Sequence, residues 1–360
     1  MRKINIIDAK DLTLNYFITE HFHPRIPLVI KNLFKDCKID SIKSNKDVKE
    51  AFGDLEFECV EEYTRKFIKS NSFYQNPEKW SLKKYLNFIE KNPETNLCIR
   101  EFTTPKLIID LFKIPDLIKF RKNSEITSNI FIANSNNVAH MHYDGDNRNV
   151  LLYQVFGRKR VILVSEAYSK ALLPVLNQSW LNINSFSEKQ RNAFVEMVDG
   201  YDFVLEPGDT MFFPMMQWHH LEYVDTGMSI NFRFGRNDYN KFLSNFVHTD
   251  LYVQGISAAF NTQDSPSEKY DNLFAEIKKQ TLLFDEDPIN KYKKMRDFMK
   301  KFHYKMCGDI LEKDYYLISS DTLIDNNPSL LKIASRPYYF KNWAKGVGIE
   351  KSMNDLLETL

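Results

Sequence analysis

The chain has 360 residues, 43% of them hydrophobic and 14% aromatic, and a formal net charge of +1. That length and apolar content suffice for the buried core of one large domain or two modest ones. The charge balance gives neither the global basic field of a nucleic-acid binder nor the acidic excess of a disordered chain.

The four cysteines, Cys37, Cys59, Cys98 and Cys307, are scattered and form no CxxC pair. This argues against a disulfide framework or a cysteine zinc site and fits a reducing cytosol. The opening MRKINIIDAKDL carries no long apolar run of the kind a secretory leader needs. No stretch approaches the roughly 20 apolar residues that span a bilayer. The expectation is a cytoplasmic protein without membrane contact.

In chain order, residues up to about 125 read as mixed α and β. Arg25–Lys31, rich in β-branched residues around Pro27, predicts a strand. Trp80–Ile89 predicts a helix, with Ser81 as N-cap and Leu82, Tyr85, Leu86 and Ile89 on one face. From Ile126 to about Arg236 the texture changes to short strands: Ile130–Ile132, Val150–Val155, Arg158–Val164 after a turn at Gly157, Phe203–Leu205, Thr210–Phe213, His219–Val224 and Met228–Phe234. A helical insert precedes Phe203, and Glu206-Pro207-Gly208-Asp209 is a turn. Many short strands punctuated by Gly and Pro predict a sandwich or barrel. After Asn237 the pattern is helical again. Lys291–Met306 is amphipathic, with Tyr292, Met295, Met299, Phe302 and Met306 on one stripe. The chain therefore divides into residues 1–236, a β-rich domain with an α/β flank, and residues 237–360, a helical extension for dimerisation or substrate binding.

One element carries chemistry. His142-Tyr143-Asp144 is an HxD step. At a strand exit, alternate residues share a face, so His142 and Asp144 can aim at one point. Taken alone, the step is also compatible with a solvated loop. The second half is Pro214-Met215-Met216-Gln217-Trp218-His219-His220, which follows a turn and a strand and sets an imidazole at the start of the next strand. His219 is the choice of third ligand, and His220 should face the other side. Two imidazoles and a carboxylate form the facial triad of non-haem Fe(II) sites, with positions left open for a bidentate co-substrate and O2. His140 shares parity with His142 and is a candidate fourth polar group near the site.

Taken together, Pro27–Ile30, Trp80–Ile89, His142-Tyr143-Asp144, Leu151–Arg160, Glu206–Asp209, Pro214–His220 and Ser229–Phe232 resemble the JmjC and cupin-like oxygenases in order, type and approximate spacing over about the first 235 residues. The resemblance implies a mainly β fold with flanking helices, built on a double-stranded β-helix (the cupin or jelly-roll core). It implies Fe(II) as metal, held by His142, Asp144 and His219, with 2-oxoglutarate as co-substrate and O2 as oxidant. Lys159 would pair with the distal carboxylate of 2-oxoglutarate, and Asn231 would lie near the co-substrate. Strand alternation sends inward either Lys159 or the pair Arg158 and Arg160. The alternatives are an exposed strand cation at 159 and a plain strand residue at 231. Ala139 stands where members often carry a threonine, the early-strand tyrosine is replaced around Leu97-Cys98, and Gly145–Asn149 is longer than usual.

The implied reaction is hydroxylation of an unactivated carbon, on a protein or peptide side chain. No reader domain or zinc module is visible, which argues against histone demethylation. Arg148 and Asp146, just past the ligand Asp, are either rim contacts for a polar substrate or surface turn residues. One alternative is a tRNA- or nucleic-acid-modifying hydroxylase, served by Lys291, Lys293, Lys294, Arg296, Lys300, Lys301 and Lys305. Nearby acidic residues balance that charge, so the preferred reading is a solvated helix face whose apolar stripe packs on the barrel or forms a homodimer. The other alternative is a non-catalytic, metal-binding cupin scaffold.

Overall fold

Alternating apolar residues between Gly and Pro turns become strands in the computed structural model. It describes residues 1–61 and 78–244, except 122–123, 136, 173, 176–177, 180 and 182, together with isolated positions 271–272, 275–276, 279 and 297. The expected amphipathic stripe from Tyr292 to Met306 lies outside the described residues. The strands are β1 Asn5–Asp8, β2 Leu28–Lys31, β3 Glu56–Glu61, β4 Glu78–Ser81, β5 Leu97–Thr103, β6 Thr127–Ala133, β7 Val138–His142 and β8 Asn149–Phe156. They continue with β9 Lys159–Val164, β10 Pro174–Val175, β11 Gln178–Ser179, β12 Tyr201–Leu205, β13 Thr210–Phe213, β14 Trp218–Tyr223 and β15 Gly227–Phe234. The longer helices are α1 Asn45–Phe52, α2 Leu82–Lys91, α3 Glu188–Met197 and α4 Asp238–Leu243. Among the described residues no helix is long and apolar enough to cross a membrane.

Two sheets result. The larger runs β1-β2-β13-β8-β15-β6-β5-β3-β4 and the smaller β10-β11-β7-β14-β9-β12. All described pairings are antiparallel except β1 with β2. This is the jelly-roll arrangement, with two sheets face to face and a core between them.

Side-chain parity sorts the core into layers. Along β8, Val150 and Leu152 point between the sheets, where they meet Val161 and Leu163 of β9, Met211 and Phe213 of β13, and Leu205 of β12. Leu151 and Tyr153 point the other way, against a helical layer that includes Val48, Phe52, Leu82, Tyr85, Leu86 and Ile89. With both faces covered, β8 is buried along its whole length, which is why it reads as an unbroken apolar run. A third cluster, with Met141, Ile162, Val164, Trp218, Phe194 and Val195, packs α3 onto the outside of the smaller sheet. Each fully buried aliphatic or aromatic side chain contributes about 1.5–3 kcal/mol.

Local signals set the ends of elements. Ser81 accepts a hydrogen bond from the Lys84 N–H and caps α2. The helix starts at Leu82, as the Ser81 cap predicts, and Trp80 belongs instead to the β3–β4 ladder, where it pairs with Phe57. The first strand after Pro27 starts at Leu28, since Arg25 takes a left-handed conformation (φ 57°). Gly157 turns β8 into β9 at φ 69°, and a Cβ there would stand 2.4 Å from the Thr226 carbonyl oxygen. Only glycine fits both demands. In β15 the apolar Met228, Ile230, Phe232 and Phe234 face the helical layer, so Ser229, Asn231 and Arg233 are left facing between the sheets.

Candidate metal centre

The smaller sheet places two histidines side by side. His142 ends β7 and pairs directly with His219 on β14. Their ring centroids are 4.3 Å apart. Asp144 follows two residues past the end of β7 and closes the group: its Oδ1 lies 3.7 Å from His142 Nε2 and 4.0 Å from His219 Nε2. The potential ligand atoms of all three residues fall within 4.8 Å of one another. Edges of an octahedron with ligands at about 2.1 Å are roughly 3 Å long, so small side-chain rotations bring these donors onto one ion.

The protonation pattern suits a metal. His142 Nδ1 is 2.6 Å from the His140 carbonyl oxygen and His219 Nδ1 is 2.9 Å from the Gln217 carbonyl oxygen. A carbonyl can only accept, so each Nδ1 carries a hydrogen, and Nε2 is the atom each ring directs at Asp144. Burial, then the neighbouring His219 and Arg100, hold the His142 pKa well below its ordinary value. The imidazole is therefore neutral at physiological pH, as a ligand must be.

The group opens into a cavity between the sheets. Its wall includes His142, Asp144, His219, Lys159, Asn231 and Arg233, together with Arg100, Phe131, Leu152 and Tyr223. All five residues singled out in the sequence thus line one space. Lys159 is only 2% exposed. Its ammonium donates to Ser229 Oγ and lies 4.1 Å from the centroid of the Tyr223 ring. Asn231 Oδ1 accepts from the Asn129 N–H at 3.0 Å, which commits the amide oxygen and leaves its NH2 as the donor end.

Other expectations change. His140 does not join the cavity wall; Ala139 does, with His142. Three steps of β7, from Ala139 to His142, span the same ladder as two steps of β14, from Leu221 to His219. This bulge breaks the alternation on β7. His140 comes instead under the influence of Arg100, and His140 in turn acts on His220. His220 is 1% exposed, and neither ring nitrogen finds a hydrogen-bond partner among the described residues. Asp146 lies in the turn after Asp144, and both Asp146 and Arg148 are partly buried. Their side chains are 22% and 14% exposed and pair at 2.8 Å, while Arg148 also donates to Thr127.

Sequence reasoning missed Ser229, Tyr223 and Arg100. Strand parity carried the signal for two of them, since Ser229 shares a face with Asn231 and Tyr223 with His219. Arg100 lies beside a bulge between Ile99 and Phe102 on β5, where parity fails.

Residues 14–240 match the family described as "Cupin-like domain". The chain belongs to the JmjC and cupin-like oxygenase family. It is 32% identical over 99 residues to Jumonji C domain-containing protein 5 of Drosophila melanogaster, covering 26% of this chain and 24% of that protein. It is 27% identical over 184 residues to lysine-specific demethylase 8 of Danio rerio, covering 48% of this chain and 42% of the relative. The protein of the same name in Xenopus tropicalis is 27% identical over 126 residues, 33% of this chain and 28% of the relative. Each match therefore covers less than half of the relative's length. The family generally uses Fe(II) and 2-oxoglutarate, and a donor set of two imidazoles and one carboxylate fits such a metal.

Proposed function

We propose that this cupin-like chain is an Fe(II)- and 2-oxoglutarate-dependent oxygenase that hydroxylates an unactivated carbon on a protein or peptide side chain. The observation that carries the reading is the convergence of His142 Nε2, Asp144 Oδ1 and His219 Nε2 in the wall that also holds the ammonium of Lys159. Iron bound by those three residues supplies the chemistry that couples decarboxylation of 2-oxoglutarate to insertion of oxygen into a C–H bond.

The remaining work belongs to the chain's own residues. His142, Asp144 and His219 would hold the metal, and three protein ligands would leave room for a chelating co-substrate. Lys159 supplies the cation that a buried dicarboxylate requires. Ser229 orients that ammonium, and Tyr223 and Phe131 shield it from water. Asn231 offers its NH2 as a donor near the co-substrate. The names of two relatives, both lysine-specific demethylases, support a protein side chain as the substrate class.

The test is succinate formation by the purified chain with Fe(II), ascorbate and 2-oxoglutarate, followed by mass spectrometry of cell peptides with and without the active protein. Succinate that requires Asp144, and a peptide mass gain of one oxygen, are the expected results. A metal-loaded chain that makes no succinate with or without peptides would instead indicate a non-catalytic scaffold.

A further inference from the structure

The arginine at the mouth of the site is shared among three carboxylates. Arg233 stands on β15 with Asn231, on the inward face. Its guanidinium lies 2.9 Å from Glu101, 3.1 Å from Asp146 and 3.6 Å from Asp144. The atoms matter. Asp144 turns Oδ1 to His142 and His219, and turns Oδ2 to Arg233. One oxygen faces the metal position and the other faces a fixed cation.

The surroundings hold that arginine in place. Its side chain is 13% exposed. Burial alone would weaken its charge, but Asp144, Asp146 and Glu101 outweigh that and raise its pKa. Asp146 comes from the Gly145–Asn149 loop and is itself braced by Arg148 at 2.8 Å. Two partners are aimed by unusual backbone: Glu101 has φ 52°, and Asn147, next to Asp146, has φ 55°. Left-handed conformations at non-glycine residues cost free energy and persist where the surroundings enforce them.

We propose that Arg233 is a positioning residue that holds Asp144 to single-oxygen coordination, so that a metal position stays free for a chelating co-substrate. A carboxylate free to chelate would use both oxygens and occupy one of the three open positions, which 2-oxoglutarate and O2 together require. The guanidinium, hydrogen-bonded to Asp146 and Glu101, attracts Oδ2 as an ion pair at 3.6 Å and biases the rotation of the carboxylate. This inference rests on the oxygenase reading for its purpose, and on the geometry of Asp144 and Arg233 for its substance.

The experiment compares wild type with Arg233→Met, Arg233→Lys and Asp146→Asn, with folding checked by circular dichroism. Mn(II) affinity is measured by electron paramagnetic resonance, and 2-oxoglutarate affinity on the Mn(II)-loaded proteins. Infrared difference spectra of Zn(II)-loaded against metal-free protein report whether the aspartate binds through one oxygen or two. Arg233→Met is expected to bind Mn(II) as well as wild type or better, to bind 2-oxoglutarate about tenfold or more weakly, and to show a narrowed separation of carboxylate stretches. Asp146→Asn, which loosens the arginine without removing it, and Arg233→Lys, which keeps charge but not the fork, should fall between and remain informative if the methionine variant misfolds. Parallel loss of both affinities would mean that Arg233 only supports the fold and would overturn the proposal. Weaker 2-oxoglutarate binding with an unchanged carboxylate spectrum would also overturn it, since Arg233 would then contact the co-substrate itself. A wild-type chain that binds Mn(II) but ignores 2-oxoglutarate sinks the oxygenase reading, and the infrared comparison still decides the role of Arg233.

Discussion

Replacing Lys159 by methionine removes a buried positive charge from the wall of the proposed co-substrate pocket while keeping most of the side-chain volume. Lys159 is 2% exposed, its ammonium bonds Ser229 Oγ, and the Tyr223 ring lies 4.1 Å away. A charge-assisted hydrogen bond to a carboxylate is worth about 1.5–3 kcal/mol, so affinity for 2-oxoglutarate should fall about tenfold to a hundredfold. The lower end applies if Ser229 keeps part of the ammonium's bonding in the complex. Metal affinity should not change, because Lys159 contributes no ligand atom to the cluster of His142, Asp144 and His219. Stability without ligand should stay level or rise, since losing a buried charge to an apolar isostere is often neutral or favourable. Calorimetric titration of 2-oxoglutarate into Mn(II)-loaded wild type and variant reads the first effect, and Mn(II) titration the second. Unchanged 2-oxoglutarate affinity would refute the assignment of Lys159, and Arg233 on the facing sheet would be the next residue to test.

Four further outcomes are expected. Asp144→Ala should lose metal retention and turnover together, and retention of iron at wild-type stoichiometry would contradict the assigned ligand. Burial, followed by neighbouring positive groups, pushes His140 down to about 4 and His220 down to about 3. The unfolded chain then takes up protons below about pH 6.5 that the metal-free folded chain refuses, so stability is lost on acidification by up to about 1.4 kcal/mol per pH unit for each histidine. Urea midpoints between about pH 6.5 and 4.5 should fall accordingly, and His220→Leu should flatten the slope; a variant slope equal to wild type would deny His220 its part. Gly157→Ala should destabilise the chain by more than 1 kcal/mol (about, on the scale of forced strain), because its Cβ would meet the Thr226 carbonyl oxygen at 2.4 Å; an unchanged thermal midpoint would count against that contact. If the stripe from Tyr292 to Met306 covers a self-association surface, sedimentation should show a dimer that Met299→Asp splits, whereas a strict monomer that binds tRNA in physiological salt would favour the nucleic-acid reading.

The sequence by itself determined the strand after Pro27, most strands between Ile126 and Arg236, and the chemistry of the donors. Gly and Pro turns bound the strands, and period-two alternation is a local property that survives into the fold. Alternation therefore sets Lys159 on the opposite face from Arg158 and Arg160, and the family resemblance, not the spacing, pointed Lys159 and Asn231 inward. The HxD step and the Trp-His step each lie within a few residues, so they too were legible. Only the tertiary structure decided what those residues touch. The bulge on β7 exists because three of its steps match two steps of β14, and it exchanges His140 for Ala139 in the cavity wall. Alternation along one strand cannot reveal a mismatch with its neighbour. Asp146 and Arg148 read as turn residues because turns favour such side chains, yet they are enclosed once β15 brings Arg233 alongside at 3.1 Å from Asp146. The two oxygens of Asp144 are equivalent in the chain and become distinct only when the smaller sheet supplies the imidazoles and the larger sheet the guanidinium. That distinction arises from closure of two sheets over one space, and no spacing along the chain encodes it.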